Sequence, residues 1–434
     1  MVEMVKNQKI WIKNTQILTM TDQPLFSGDI LIEGNKIVAV GKVDEQLAQG
    51  AKIIDGKGTV AMPGLVNTHV HAPMSLLRSY ADNMPLMPWL EQKIWPAEEK
   101  LTDEIVYCGT QLSIMEMMMT GTTTFAEMYD HMNAVAEAVV DSGMRAHLSR
   151  GVVIFSDEQL NKLDEGIDLY RQFHGKADDR IHVWFSAHAP YTCLPPYVEK
   201  LVEQAKLHNA GMHIHVAETL SEIEQIKANY GKTPVEHLRD LGAFDVPALA
   251  AHCVHLTDND MDILAEKKVS VAHNIVSNMK LASGIAPVTA LCQKGVNVAL
   301  GTDGASSNNN MNMFKEMTTA ALVHKVNTMD STAIGAYDVL KMATVNGAKA
   351  LHWQDDIGTL EVGKKADLIL IDIDQPHYAP WNDTVADLVY SGQGSDVKTT
   401  IINGQIVMEN RQFTTLDKEK IMFDAARFAK VLQQ

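Results

Sequence analysis

The sequence predicts an α/β fold: a (β/α)8 TIM barrel, with a small β-sandwich domain built from both chain ends. Three observations predict it. Residues 67–356 alternate short apolar runs with helical stretches, and eight candidate strands can be placed around that rhythm. The two ends of the chain read instead as short strands joined by Gly-containing turns. Histidines and acidic residues collect where the apolar runs stop, which is where a parallel barrel carries its chemistry.

The amino-terminal part, residues 1–66, offers Lys9–Lys13 and Asp29–Glu33 as alternating strands, with Gly34-Asn35 turning into Lys36–Gly41. The carboxy-terminal part, residues 357–434, repeats the style with Ala366–Asp372 and with Lys398–Met408 around Asn403-Gly404. Neither end has enough strands to bury a core alone, so the two are expected to pair into one sandwich. Between them, residues 67–356 form the barrel, whose first strand already begins in the apolar run before residue 67. Its strands are expected at Leu65–His71, Thr123–Met128, Arg145–Arg150, His182–His188, Gly211–Glu218, Ala248–Val254, Ser270–Asn274 and Val296–Asp303. Thr102–Thr120 and Pro195–Asn209 supply helices, and Met115–Met119 reads as a buried helix face.

Composition bounds the partners. With 54 acidic against 37 basic residues and a net charge of −17, neither nucleic acid nor an anionic membrane is expected as a partner. Cys108, Cys193, Cys253 and Cys292 are scattered without a Cys-x-x-Cys, which fits a reducing cytoplasm better than a disulfide framework. No apolar run is long enough to cross a bilayer, and Met1 to Asn14 lacks a signal-peptide core. A soluble cytoplasmic protein, with a homo-oligomer as a possibility, is the expectation. Gly231-Lys232-Thr233 lacks the upstream glycine of a phosphate loop, and the Pro-Cys-x-x-Cys of base-flipping zinc deaminases is absent.

His69-Val70-His71 ends the first strand, and residues two apart on a strand point to the same side, so both imidazoles can converge on one ion. Arg150 ends the third strand, His188 the fourth, His215 and Glu218 the fifth, His252 the sixth, His273 the seventh and Asp303 the eighth. Closing the barrel brings Asp303 beside the His69/His71 pair, and His215 reaches in from the fifth strand. Three imidazoles and one carboxylate suit Zn2+ or Fe2+, whereas Mg2+ or Ca2+ prefers oxygen ligands. The fourth strand ends Phe185-Ser186-Ala187-His188 without a lysine to bridge two metals, so one ion is expected. His213 shares the parity of His215 but should lie one layer deeper, packed. His255 and His273 are expected as ordinary polar residues of the rim.

Pro63–His71, His215-Val216-Ala217-Glu218, Ala251-His252-Cys253 and Gly301-Thr302-Asp303-Gly304 together resemble the amidohydrolase superfamily in its mononuclear deaminase branch, over nearly the whole chain. His71–Arg78, Ser277–Gly284 and Asp303–Asn309 are similar more narrowly to the 5-methylthioadenosine/S-adenosylhomocysteine deaminases. The resemblance implies attack of a metal-activated water on C6 of an adenine ring, releasing ammonia and leaving the inosine derivative. It makes Asp303 the acceptor of the water proton, Glu218 the donor to the purine N1, and His252 the residue that orients the nucleophile.

The same resemblance assigns Glu98 to the ribose hydroxyls, His188 to the purine and Arg150 to the 5'-substituent, with Glu218 also a substrate contact. Gly151 to Tyr170 holds no second arginine, so S-adenosylhomocysteine is the less secure substrate. Two alternatives stay open: a deaminase or chlorohydrolase of another aminated heterocycle, such as guanine or a triazine, and a non-catalytic metal-binding scaffold.

Overall fold

The computed structural model describes residues 8–154 and 161–433. Eight parallel strands follow one another in chain order around a barrel: Leu65–Val70, Thr122–Tyr129, Arg145–Val152, Ile181–Ala187, Met212–Val216, Ala248–His252, Ser270–His273 and Asn297–Leu300. Each expected strand is present. The fifth, sixth and eighth stop earlier than the apolar runs suggest, and the cause is backbone conformation. Ala217, His252, Cys253 and Asp303 take φ values of 52°, 74°, 50° and 62°, in the left-handed region that ends an extended strand. Non-glycine residues occupy it at a cost of order 1–3 kcal/mol each. Here the surroundings hold them: Cys253 N donates to Val216 O at 2.9 Å, Val254 N and His255 N to Ala217 O at 3.0 and 2.9 Å, and Asp303 N to His69 O at 2.9 Å.

That last bond belongs to the seam where the eighth strand meets the first. Side chains extend it, because Asn67 Oδ1 accepts from Thr302 N at 2.9 Å, Asn67 Nδ2 donates to Thr302 Oγ1 at 2.7 Å, and Thr68 Oγ1 donates to Leu300 O at 2.8 Å. Gly301 lets the two backbones approach, since a Cβ there would sit 2.9 Å from His69 N.

Both chain ends build one nine-stranded mixed sheet, joined where Thr59–Pro63 pairs parallel with Lys9–Ile17 and antiparallel with Leu368–Asp372. The sheet folds over on itself around Ile10, Ile12, Ile30, Ile32, Leu368, Leu370 and Ile401, which share one core. Burying each such side chain contributes about 1.5–3 kcal/mol. The fold-over brings the turn at Gly34 against Gly404, where φ is 76° and a Cβ would lie 1.9 Å from Gly34 O. Arg145, at the start of the third barrel strand, pairs with Asp367 through Nε–Oδ2 at 2.7 Å and NH2–Oδ1 at 3.0 Å, fully buried. Losing either partner would leave an uncompensated buried charge. Among the described residues, no helix is long and apolar enough to cross a membrane.

Candidate metal centre and substrate cavity

His69, His71, His215 and Asp303 meet at the carboxy-terminal mouth of the barrel. His69 Nε2 lies 3.1 Å from His215 Nε2 and 3.5 Å from Asp303 Oδ1, while His71 Nε2 lies 3.2 Å from the same oxygen. The outer ring nitrogens explain this orientation. His71 Nδ1 donates to Met128 O at 2.6 Å and His215 Nδ1 to His188 O at 2.7 Å, so each ring keeps its lone pair on Nε2. His69 Nδ1 meets His213 Nε2 at 2.9 Å, His213 Nδ1 meets Ser149 Oγ at 3.2 Å, and Ser149 Oγ donates to Glu127 O at 2.7 Å. With every hydrogen directed outward along that chain, His69 too presents a bare Nε2.

Burial keeps these rings neutral: it lowers His69 to about 3 and holds His71 and His215 below the ordinary histidine range, with neighbouring rings adding to the effect. Asp303 completes the set as a buried carboxylate. Its Oδ2 accepts from Ser277 Oγ at 2.6 Å and Ser307 Oγ at 2.9 Å, which leaves Oδ1 facing the imidazoles. Unprotonated nitrogen lone pairs 3.1 Å apart repel unless a cation lies between them. Tetrahedral Zn–N and Zn–O bonds of about 2.0–2.1 Å place ligand atoms roughly 3.3–3.4 Å apart, close to the spacings found. The donor set therefore fits a divalent metal. His213 is packed one layer below, bonded to His69, as its register predicts.

His252 stands next to this cluster, with a ring nitrogen within 4.8 Å of those of His69 and His215. Its Nε2 is 3.8 Å from Glu218 Oε2, and its Nδ1 donates to Asn278 Oδ1 at 2.8 Å. Burial works against charging His252, but the Glu218 and Asp303 carboxylates outweigh it and raise its pKa. Burial also raises the Glu218 carboxyl, with His252 opposing. Glu218 is anchored by Glu222, one helical turn on, whose carboxylate accepts from Ala217 N at 2.8 Å and Glu218 N at 2.9 Å. Ser283 Oγ reaches Glu218 Oε1 at 3.2 Å.

These groups open onto a cavity of about 480 Å³ whose walls include Leu86, Trp89, Trp95 and Tyr191 together with Glu98, Arg150 and His188. Glu98 accepts from Tyr129 OH at 2.6 Å, and burial, opposed by that bond and reinforced by Asp130, lifts its carboxyl to about 7. His188 Nδ1 meets Thr192 Oγ1 at 2.9 Å, and burial lowers the ring to about 3. Arg150 is already engaged: Nε donates to Glu165 Oε2 at 2.7 Å, NH2 pairs with Asp130 Oδ1 at 2.9 Å, and NH1 donates to Gly151 O at 2.6 Å.

His255 and His273 lie apart from the cluster. His255 Nε2 donates to Ser283 O at 2.7 Å, and His273 Nε2 meets His324 Nε2 at 3.0 Å. Sequence reasoning did not single out Tyr129, Ser149, Ser277, Asn278 and Ser307. Ser277, Asn278 and Ser307 lay inside motifs that carried the resemblance, so each hydroxyl or amide a few residues from a strand end was the available signal.

Comparisons with known proteins identify the family of the chain. The Amidohydrolase family profile matches residues 60–407. The chain is 53% identical, over 97% of its length and 98% of the relative's, to a 5-methylthioadenosine/S-adenosylhomocysteine deaminase of Pelotomaculum thermopropionicum. It is 48% identical, over 98% of both chains, to a 5'-deoxyadenosine deaminase of Methanosarcina acetivorans. Among solved structures, an adenosine deaminase from Xanthomonas campestris with bound zinc superposes with a TM-score of 0.93 at 32% identity, covering 99% of each chain. A barrel with this donor set at its mouth, matched by the family profile over most of its length, belongs to the amidohydrolase family.

Proposed function

We propose that the protein hydrolytically deaminates the adenine ring of 5'-substituted adenosines, 5-methylthioadenosine and 5'-deoxyadenosine before S-adenosylhomocysteine, giving the 6-oxo purine nucleoside and ammonia. One observation carries the reading. Three bare imidazole Nε2 atoms and Asp303 Oδ1 converge beside Glu218 and His252, at the floor of a cavity large enough for a nucleoside and walled by aromatic rings. Zn2+ is the ion of this proposal, with Fe2+ its competitor, and the zinc bound by the Xanthomonas relative supports the choice.

His69, His71, His215 and Asp303 would hold a divalent cation, which would supply the Lewis acidity that brings the pKa of a water near neutrality. Asp303 takes up the proton this water releases. Glu218, whose carboxyl burial raises, delivers a proton to the purine N1, so attack at C6 does not accumulate charge on the ring. His252 Nε2, next to Glu218 Oε2, orients the water toward C6. The proton held at Asp303 then leaves with the amino group as ammonia, and the hydroxyl proton on the C6 oxygen returns to Glu218 as the carbonyl forms. Glu98 grips the ribose diol, held in place by Tyr129, and His188 contacts the purine.

The substrate order follows from Arg150. A homocysteine carboxylate must displace Asp130 or Glu165 from a guanidinium that both already neutralise, whereas a methylthio or deoxy substituent makes no such demand. A cytoplasmic enzyme and a homo-oligomeric assembly complete the proposal on sequence grounds. The test follows the loss of adenine absorbance with methylthioadenosine, 5'-deoxyadenosine, S-adenosylhomocysteine and adenosine, with guanine as control and metal analysis of the same sample. Turnover of the first two with higher kcat/KM than S-adenosylhomocysteine supports the reading. Faster turnover of guanine removes it, and failure to release ammonia from any of them leaves a metal-binding scaffold.

A further inference from the structure

The seventh barrel strand ends in His273, which turns away from the metal cluster to meet His324. The contribution of this part of the barrel comes one turn later. We propose that Asn278, in the helix Ile275–Lys280, is a positioning residue that fixes the direction of the His252 ring and keeps a hydrogen on its Nδ1.

Asn278 is completely buried, and its Oδ1 lies 2.8 Å from His252 Nδ1. A carbonyl oxygen only accepts, so the hydrogen of that bond belongs to the ring, and Nε2 is the atom left to face Glu218 and the cavity. The backbone that carries this side chain is held by bonds on both sides. Asn278 N donates to Asn274 O at 3.0 Å, and Asn278 O accepts from Ser283 N at 2.8 Å.

The neighbours of Asn278 reach the other two working groups. Ser277 Oγ donates to Asp303 Oδ2 at 2.6 Å, and Ser283 Oγ reaches Glu218 Oε1 at 3.2 Å. A single segment of seven residues, Ser277 to Ser283, thus touches His252, Asp303 and Glu218, which end or follow three different barrel strands. Asn278 is the member that aims a ring, and a ring released from it would turn about χ1 and χ2. The inference rests on the reading that His252 orients the attacking water.

The test compares Asn278→Ala, Asn278→Leu and Asn278→Asp in the zinc-loaded, full-length enzyme. Asn278→Ala and Asn278→Leu should lower kcat for methylthioadenosine about 10- to 100-fold, with KM and zinc content as in the parent. Asn278→Asp, which keeps an acceptor oxygen in place, should recover part of the loss. In a His252→Asn background, adding Asn278→Ala should cost under about twofold. A readout independent of turnover is the ring itself. In 15N-histidine-labelled protein, the Nδ1–H signal that vanishes in His252→Asn should be slow to exchange in the parent and fast in Asn278→Ala.

Parent-like kcat in Asn278→Leu, loss of zinc from Asn278→Ala, an undiminished penalty in the His252→Asn background, or a His252 ring hydrogen on Nε2 alone would each overturn the proposal. A parent enzyme that deaminates no nucleoside would overturn the function instead, and the exchange measurement would still report on Asn278.

Discussion

Histidines crowd both ends of this barrel, and the two crowds differ in one respect. At the mouth, His69, His71 and His215 each give one nitrogen to a fixed partner and turn the other toward a common point. At the base, His147 lies edge-on to Trp184 with ring centroids 4.4 Å apart, and neither of its nitrogens has a hydrogen-bond partner among the described residues. His182 rests on Trp353 at 4.5 Å, and His174 stacks on His182 at 5.1 Å. Burial lowers the pKa at both ends, so a perturbed histidine does not by itself mark a site. Direction does: a site has lone pairs that converge, and a core has rings that pack.

The largest effects should therefore separate the two ends. His69→Ala removes a nitrogen for which no neighbouring side chain substitutes, and kcat/KM should fall on the order of 10³-fold or more, with loss of bound metal. His147→Phe, which keeps the aromatic contacts, should leave kcat/KM within about twofold and the metal in place. Stripping the metal with a chelator should abolish turnover and lower the Tm of the parent, and adding zinc back should restore both. His69→Ala should show no zinc-dependent rise in Tm. Equal losses of activity from the two substitutions would erase the distinction.

The same distinction explains what the sequence disclosed. The candidate ligand positions were legible because a strand has a period of two and a closed barrel makes its first and last strands neighbours, so His69, His71 and Asp303 could be brought together from spacing alone. The double-ended sheet was legible from its Gly34-Asn35 and Asn403-Gly404 turns, though its single folded-over sheet was not, because that depends on Gly404 meeting Gly34 across the whole chain. The supports of the site were hidden for a similar reason. Ser277, Asn278 and Ser307 act through side-chain contacts with Asp303 and His252, whose own backbones are left-handed, and no periodicity encodes those turns.

Glu98 supplies the next effect in size. Glu98→Gln should cost about 1.5–3 kcal/mol of binding for a ribosylated ligand, some 10- to 150-fold, because it replaces a charged acceptor of the diol with a neutral one. The pH dependence has a definite sign. With its carboxyl lifted to about 7, Glu98 gains charge as pH rises from about 6 to 8, so the Ki of inosine should fall across that window while that of hypoxanthine, which lacks the ribose, should not. Its linkage to folding runs the opposite way. A carboxyl raised above its ordinary 4.5 binds its proton more tightly in the folded chain, so this stability contribution is lost as pH rises through about 7. A flat inosine Ki in the parent would remove Glu98 from ribose recognition.

The smallest effect belongs to the base of the barrel. His147 is depressed well below the ordinary histidine range by burial first, then by His182, His352 and His174. A histidine whose folded pKa lies below its unfolded value of 6.5 takes up its proton more readily when unfolded. Its contribution to stability is present above that pH and lost as pH falls below it. Phenylalanine at 147 fills the same aromatic slot and never takes the proton, so His147→Phe should flatten the acid-side fall in Tm between pH 6.5 and 5. A shift of about 1–2 °C is expected for a chain of this length. Zinc-loaded parent and variant should show the same turnover at pH 7.5, while their Tm curves diverge only toward acid. A divergence in turnover instead would mean that the base of the barrel communicates with its mouth, and the contrast between converging and packing histidines would no longer describe the molecule.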